Sequence, residues 1–383
     1  MLALDFTMTD RQDPPAPNLQ GRPRPGLGWV GAWVCLVLGG GTLGVLSVLQ
    51  SDPDLTEALY CGGIFPVVRI VLAPVGLVPF SVAELMLLLL GGVACVGLVR
   101  AVRKPKGVRR LIGWTVVLAA AILFIFEVSW GFNHARRPFA WHAGWDVRPR
   151  PNSELAELVL SLGEEAALER GLCLQDGPGS PDWSLQLGGG PDGDPRLHEA
   201  WLKAARVHPV LGGRPLAVRR PVFSGLMSAL GISGIYSPFT AEAHVNAQVP
   251  LTQVPFVTAH EVAHGRGFAR EDEANFIAYL VCRFSDDPGF RYSGSLQALS
   301  HARGALGRAD RGLLKEASAS LDPGVLADLQ RQYRFWRSKK TALWEWSSRA
   351  NDVYLKSQGQ AAGIRSYGRM VDLLLAQRLA NKP

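Results

Sequence analysis

Two histidines and a glutamate at helical spacing form the pattern in this sequence that points most directly to chemistry. The segment reads His260-Glu261-Val262-Ala263-His264. Residues four apart lie on one face of a helix, so both imidazoles can bind the same metal ion. Zinc suits such a site because it accepts three protein ligands and keeps one position open for water. Glu261 would lie beside the metal, where a carboxylate can act as general base.

A third ligand is expected from the acidic segment that follows. Gly265 to Gly267 favour a helix end, and a second helix is predicted to begin at Glu271. A carboxylate on a neighbouring helix is a common third ligand of catalytic zinc, and we favour Glu271, with Glu273 as the alternative. Asn275 shares the helix face of Glu271 and is a candidate to hydrogen-bond a ligating histidine. The acidic residues would also favour a helix N-terminus without binding metal, so the sequence leaves this assignment open.

Two tyrosines and one strand are further candidates for the site. Tyr236 and Tyr367 are candidates to stabilise the oxyanion of a tetrahedral intermediate, and the alternative for each is a packed tyrosine with a hydrogen-bonded hydroxyl. Ala243–Val249 alternates apolar and polar residues and predicts a strand before the motif helix. Such a strand can pair with an extended substrate by strand addition, although an ordinary sheet strand explains the pattern equally well.

The N-terminal third of the chain predicts a membrane anchor over residues 27–130. Each of its three uncharged or nearly uncharged runs has about the 20 residues that a transmembrane helix needs, and they cover residues 29–49, 81–99 and 111–130. Residues 61–80 are also apolar but contain Arg69 and three prolines, so we predict an interfacial or re-entrant segment there. The proline-rich residues 1–26 predict a disordered cytoplasmic tail.

The charge distribution predicts the orientation in the cell membrane. Six basic residues lie between the second and third runs: Arg100, Arg103, Lys104, Lys106, Arg109 and Arg110. The positive-inside rule places this loop and the N-terminus in the cytoplasm, and residues 131–383 outside it. The formal net charge of +7 is concentrated at this loop, and no basic stripe interleaved with aromatics predicts nucleic-acid binding. The expected partners are membrane lipid and a peptide or protein substrate, and the oligomeric state stays open.

Residues 131–383 predict one extracytoplasmic domain of the α+β class, mostly helical with a small sheet. Periodicity and turn residues predict a loop at Gln175–Pro195, strands at Leu216–Phe223 and Ala243–Val249, and helices at Ser153–Arg170, Pro255–Gly265, Asp272–Phe284, Gly324–Leu355 and Ile364–Leu379. Cys173 and Cys282 can pair if the domain faces an oxidising compartment, but their spacing does not decide it.

The motif resembles the zincin peptidases, because H-E-x-x-H is followed by E-x-x-A-N. The likeness is to the gluzincin arrangement of thermolysin and of the membrane-bound CAAX-prenyl-protease type enzymes. It implies that His260, His264 and Glu271 bind zinc, that Glu261 is the general base, and that Asn275 stands where an aspartate orients a histidine. Two departures are the short spacing of six residues between His264 and Glu271 and the asparagine itself. Arg270 stands where metzincins carry a third histidine.

A closer resemblance covers most of the chain. The segments Gly234 to Thr240, His260 to His264 and Gly267 to Phe276 resemble a bacterial family of unknown function with N-terminal spans and an expected zinc-peptidase domain. These patterns together predict a membrane-anchored zinc-dependent hydrolase, most simply a peptidase that uses zinc-activated water. Two alternatives stay open, namely a zincin-fold scaffold that catalyses nothing, and a metal hydrolase of a non-peptide envelope component.

Overall fold

The computed structural model describes residues 31, 33–104, 107–175, 191–357 and 369–380. The described chain is mostly helical and carries a small three-stranded sheet. The strands are β1 (Ala217–Arg219), β2 (Gly234–Ser237) and β3 (Glu242–Val245). The helices are α1 (Trp33–Ser51), α2 (Pro53–Leu77), α3 (Val82–Arg103), α4 (Gly107–Ser129), α5 (Phe139–Ala143), α6 (Asn152–Gln175), α7 (Pro195–Val207), α8 (Ser224–Leu230), α9 (Val254–Gly265), α10 (Glu271–Arg283), α11 (Pro288–Ala309), α12 (Arg311–Ala319), α13 (Pro323–Ser338), α14 (Ala342–Ser357) and α15 (Met370–Ala380).

Among the described residues, four helices, α1 to α4, are long and apolar enough to cross a membrane by length and composition. Three of them, α1, α3 and α4, contain most of the three predicted spans. The fourth candidate, α2, overlaps the interfacial or re-entrant segment that was predicted over residues 61–80, but its helix begins earlier, at Pro53. The sequence prediction therefore placed the apolar segments correctly but underestimated the length of this one.

The α3–α4 hairpin is fixed to the rest of the chain at its two outer ends. At the start of α3, the Ser81 hydroxyl lies 2.8 Å from Nε2 of His244 in β3, and the Glu242 carboxylate accepts hydrogen bonds from the amides of Val82 and Ala83. At the end of α4, Nε1 of Trp130 donates to the carbonyl oxygen of His264 over 2.8 Å. The basic loop between the two helices therefore lies at the opposite end of the hairpin from the predicted catalytic motif.

Helix α2 contacts the C-terminal part of the chain at both of its ends. Near its start, Asp54 forms an ion pair with Arg137. In its middle, Nη1 of Arg69 lies 3.4 Å from the carbonyl oxygen of Ala241. At its end, Arg219 of β1 donates to the carbonyl oxygens of Gly76, in the last turn, and of Val78, just after it. The outward side of α2 exposes an apolar stripe that includes Leu55, Leu59, Val67, Ile70 and Val71.

The sheet has the order β1-β3-β2, with β3 parallel to β1 and antiparallel to β2. Strand β3 begins one residue before the predicted Ala243–Val249 strand and ends at Val245, and because it is central in the sheet and buried, it has no free edge. Of the two interpretations of this segment, the ordinary sheet strand is therefore correct, and a substrate cannot pair with β3 by strand addition. The edge strand that contacts α9 is β2, whose Ile235 side chain is 51% exposed.

The helical part of the domain packs around α10 and α11, which are buried along most of their length. Two predicted helix boundaries were wrong. Helix α6 continues past Gly171 to Gln175, because packing against α11 outweighs the small cost of a helical glycine. The stretch predicted as one helix from Gly324 to Leu355 is divided into α13 and α14, and the Thr341 hydroxyl accepts from the amide of Trp344 at the new helix start.

One predicted pairing does not form, and two predicted segments lie wholly or mostly outside the described residues. Cys173 and Cys282 are both buried and are not joined to each other, so the disulfide that the sequence allowed does not form. The predicted tail over residues 1–26 and most of the predicted loop at Gln175–Pro195 lie outside the described residues.

Candidate metal centre

The two motif histidines lie on one face of α9, as their spacing predicted. Helix α9 packs between the sheet and helices α10 and α11, and Pro255 occupies its first turn, where no backbone hydrogen bond is lost. The Nε2 atoms of His260 and His264 are 3.0 Å apart. Two imidazole lone pairs facing each other at this distance repel unless a proton or a metal ion lies between them.

Glu271, at the start of α10, completes a three-residue group. Its Oε2 atom lies 3.3 Å from Nε2 of His260 and 3.8 Å from Nε2 of His264. Ligands about 2.0–2.1 Å from a tetrahedral zinc ion lie about 3.3 Å from one another. The three observed separations bracket that value, and Oε2 of Glu271 is buried without a hydrogen bond from the described residues. The donor types, their spacing and this unpartnered oxygen fit a zinc ion.

The orientation of His264 is fixed by its other ring nitrogen. Nδ1 lies 2.8 Å from the carbonyl oxygen of Phe268 and donates to it, which leaves Nε2 free to bind a metal. Gly267 makes this contact possible, because the chain turns back at a φ of 89°, a conformation that favours glycine. Burial disfavours a charged His264, but the Glu271 and Glu261 carboxylates outweigh it and raise the pKa of His264 to about 9. Conversely, burial disfavours ionised Glu271, but the two imidazoles hold the pKa of its carboxyl well below the usual range.

Glu261 is buried beside the histidines. Burial raises the pKa of its carboxyl, while the imidazoles and a hydrogen bond from the backbone amide of Tyr236 partly oppose that rise. A raised pKa is typical of a carboxylate that exchanges protons near neutral pH. Gly234 of β2 makes room for it, because a methyl group on Gly234 would lie 2.6 Å from Cγ of Glu261.

We expect Gly234→Ala to displace Glu261 and to destabilise the protein. Overpacking a buried contact of this kind costs about 1–3 kcal/mol. Thermal unfolding should show a lower midpoint, and any hydrolytic activity should fall with it. Gly171→Ala is the control, because nothing lies within 4 Å of the added carbon and the substitution favours helix α6. A Gly234→Ala protein as stable as the wild type would contradict the tight packing of β2 against Glu261.

Two further predicted residues lie on α10 beside the three-residue group. Glu273, the alternative third ligand, accepts a hydrogen bond from the amide of Phe139 over 2.9 Å and pairs with Arg270. Its carboxylate therefore supports helix α5, whereas Glu271 joins the histidines. Asn275 is buried, and its Nδ2 atom and Nδ1 of His260 both lack partners among the described residues. The predicted hydrogen bond from Asn275 to a histidine stays a prediction.

Of the two candidate tyrosines, only Tyr236 lies among the described residues. Tyr236 is buried with its ring 6.1 Å from that of Trp130, and Arg69 is the polar partner of its hydroxyl. Tyr236 thus contributes its backbone amide to Glu261, and an oxyanion role for its hydroxyl stays a prediction. Tyr367 lies outside the described residues.

Three residues near the centre carried no sequence signal. Trp130 packs edge-on against the His264 ring at 5.8 Å, and His134 follows it one turn later. The hydroxyl of Tyr354 in α14 lies 3.1 Å from Nε2 of His134. Burial and the neighbouring His264 and Arg270 lower the pKa of His134 to about 3, so its imidazole is neutral at physiological pH. Trp130 and His134 come from the turn after α4 and Tyr354 comes from α14, and no motif or periodicity connects these two segments with α9.

Comparison with known proteins gives one match. The family described as "Protein of unknown function (DUF3810)" matches residues 60–375, which begin within α2 and end within α15. No curated protein and no solved structure matches the chain.

Proposed function

This chain belongs to that family of unknown function, and we propose that it is a membrane-anchored zinc hydrolase that cleaves a peptide or protein substrate. The observation that carries the proposal is the group formed by His260, His264 and Glu271, whose ligand atoms lie 3.0, 3.3 and 3.8 Å apart. A buried glutamate lies directly beside it. This arrangement supports the zincin-like centre that the H-E-x-x-H spacing predicts.

Each residue of the centre has a separate task. The Nε2 atoms of His260 and His264 and Oε2 of Glu271 would hold the zinc ion. A bound zinc ion supplies Lewis-acid chemistry and lowers the pKa of a water molecule to about 7. Glu261 accepts a proton from the attacking water and returns it to the leaving amine nitrogen. Its raised pKa favours both proton transfers, and its hydrogen bond from the Tyr236 amide keeps the carboxylate in place.

Strand β2 is the strand with which we propose that the substrate backbone pairs. It is the edge strand on the α9 side of the sheet, and Gly234 brings its backbone against Glu261. An extended peptide that paired with the open edge of β2 would run past the general base. This favours a peptide over a compact non-peptide substrate, and it replaces β3 as the proposed docking strand.

The contacts of the apolar helices support a topology with three crossings. Both ends of α2 contact the same domain, and its outward stripe is apolar, so we place α2 in the membrane surface rather than across it. Helices α1, α3 and α4 then cross the membrane. The basic loop between α3 and α4 is cytoplasmic by the positive-inside rule, so the N-terminus is cytoplasmic and the domain lies outside the cytoplasm. Trp130, just after the last proposed crossing, donates to the carbonyl of His264, which supports a position of the metal centre next to the membrane surface.

The first experiment measures zinc by elemental analysis in purified wild-type protein and in His264→Ala. We expect about one zinc ion per wild-type chain and its loss in the variant, because a zinc site needs its ligands. His301→Ala is the matched control, since His301 lies on α11 outside the centre. Circular dichroism checks that each variant is folded.

Activity is then measured on a peptide library with the zinc-loaded protein. Turnover that disappears on chelation and returns with zinc supports the peptidase. Zinc binding with hydrolysis of cell-wall fragments but no peptides would move the proposal to a non-peptide envelope substrate. A folded wild-type protein that binds no zinc after reconstitution would overturn the proposal and leave a non-catalytic scaffold.

A further inference from the structure

A cavity beside the C-terminal end of helix α9 differs in chemical character from the metal centre. It has a volume of about 270 Å³ and lies between α2, the turn after α4 and the segment from Val210 to Arg214. Its wall includes four arginines: Arg69, Arg136, Arg214 and Arg266. No aspartate or glutamate is among the described residues that line it.

Two of the four arginines are compensated by carboxylates outside the cavity wall. Arg266 is buried and forms an ion pair with Asp192 at 2.7 Å, and its guanidinium stacks 4.2 Å from the Trp201 ring. Nε of Arg136 lies 3.5 Å from a carboxylate oxygen of Glu57, too long and poorly aligned for a hydrogen bond.

The other two arginines leave positive charge uncompensated. Arg69 and Arg214 have no carboxylate within ion-pair distance among the described residues. In addition, Nε of Arg136 and Nε of Arg266 are buried and donate no hydrogen bond within that part of the chain. Buried N–H groups without acceptors are costly, so a protein that keeps them normally supplies an acceptor. A cavity with surplus positive charge and spare donors is suited to an anion.

We propose that this arginine-lined cavity binds a phosphate group, either as inorganic phosphate or as the headgroup of a phospholipid. A phosphate monoester carries up to about two negative charges and three acceptor oxygens, which matches the two uncompensated arginines. Guanidinium groups bind phosphate oxygens in bidentate fashion, and arginine is the residue most often used where that geometry matters. A ligand with a single carboxylate would neutralise only one of these two positive charges. The site is separate from the zinc proposal, because none of its arginines is a metal ligand or the general base.

The test uses the full chain in neutral detergent and measures thermal unfolding with inorganic phosphate against sodium chloride at equal ionic strength. A ligand that binds the native state raises the unfolding midpoint in a concentration-dependent way, and matched salt removes the contribution of screening. We expect phosphate to stabilise the wild type and the Arg69→Gln/Arg214→Gln variant to bind at least about ten-fold more weakly. Arg220→Gln is the matched control, since Arg220 is exposed, follows β1 and does not line the cavity. Arg214→Gln alone, at an exposed position, gives the same readout should the double variant not fold.

A second arm distinguishes the two sources of phosphate. The protein is reconstituted in phosphatidylcholine nanodiscs with and without phosphatidic acid. Stabilisation by inorganic phosphate identifies a soluble ligand, whereas stabilisation by phosphatidic acid alone identifies a lipid headgroup, and both support the site. Sodium acetate at the same ionic strength serves as a carboxylate control in the first arm. Three results would overturn the proposal: no stabilisation of the wild type in either arm, stabilisation of the arginine variants equal to that of the wild type, or stabilisation by acetate as large as that by phosphate.

Discussion

Glu261→Gln is expected to bind zinc as the wild type does and to lose hydrolysis by about 10²–10⁴-fold, the usual contribution of a general base. Glutamine keeps the shape of the side chain and can still accept from the Tyr236 amide, but it cannot take a proton from water. The substitution also removes a buried carboxyl whose pKa is raised by burial, so it should not lower stability. Zinc content and turnover of the best library peptide are the two measurements.

The paired readouts make this result specific. Loss of zinc together with activity would indicate damage to the centre rather than loss of a base. Full activity with bound zinc would show that Glu261 is not the base and would remove the proposed mechanism. Glu164→Gln on α6 makes the same chemical change at an exposed position and should alter neither measurement.

The second large effect is expected on zinc affinity. Glu271→Ala removes one of three protein ligands, and its loss should exceed the 10–100-fold caused by changes around a metal site, so we expect a decrease of about 100-fold or more. Competition with a chelator of known affinity measures it. Because the Glu271 carboxylate is the main group that raises the pKa of His264, the variant should also lower that pKa.

Glu273→Ala separates the two carboxylates that the sequence could not distinguish. Glu273 accepts from the Phe139 amide, so its loss leaves a buried donor unpaired and should lower stability by about 1–3 kcal/mol. Zinc affinity should stay within a few-fold of the wild type. If Glu273→Ala abolishes zinc binding and Glu271→Ala does not, the assignment of the third ligand is reversed.

The proposed phosphate site and the metal centre lie on neighbouring parts of the fold. Arg69 joins them, since it lines the cavity and is the polar partner of Tyr236, whose amide holds Glu261. The same helix α2 that contributes Arg69 carries the apolar outward stripe. A phosphate-bearing ligand at this position would therefore contact the helix that we place in the membrane surface.

The sequence by itself determined the features that depend on local spacing. Histidines four apart on a helix necessarily share a face, so His260 and His264 could be paired without knowledge of the fold. Apolar runs of membrane-spanning length are equally local, and the structure has long apolar helices at all three predicted spans. The helices around the motif, α9 and α10, also began and ended within a residue or so of their predicted bounds, because proline, glycine and acidic residues define helix ends locally.

Only the tertiary structure decided what depends on how distant segments meet. The sequence could not distinguish Glu271 from Glu273 as the third ligand. In the fold, Glu271 lies beside the histidines of α9, whereas Glu273 accepts a hydrogen bond from the amide of Phe139 in α5. Strand order made β3 central and β2 the edge strand, which no alternation of residues reveals, since pairing is non-local. Tyr354 reaches the centre from a segment 220 residues after His134, and the four arginines of the cavity are also widely dispersed in the sequence. Their proximity results from burial of apolar surface along the whole chain, which local periodicity does not encode.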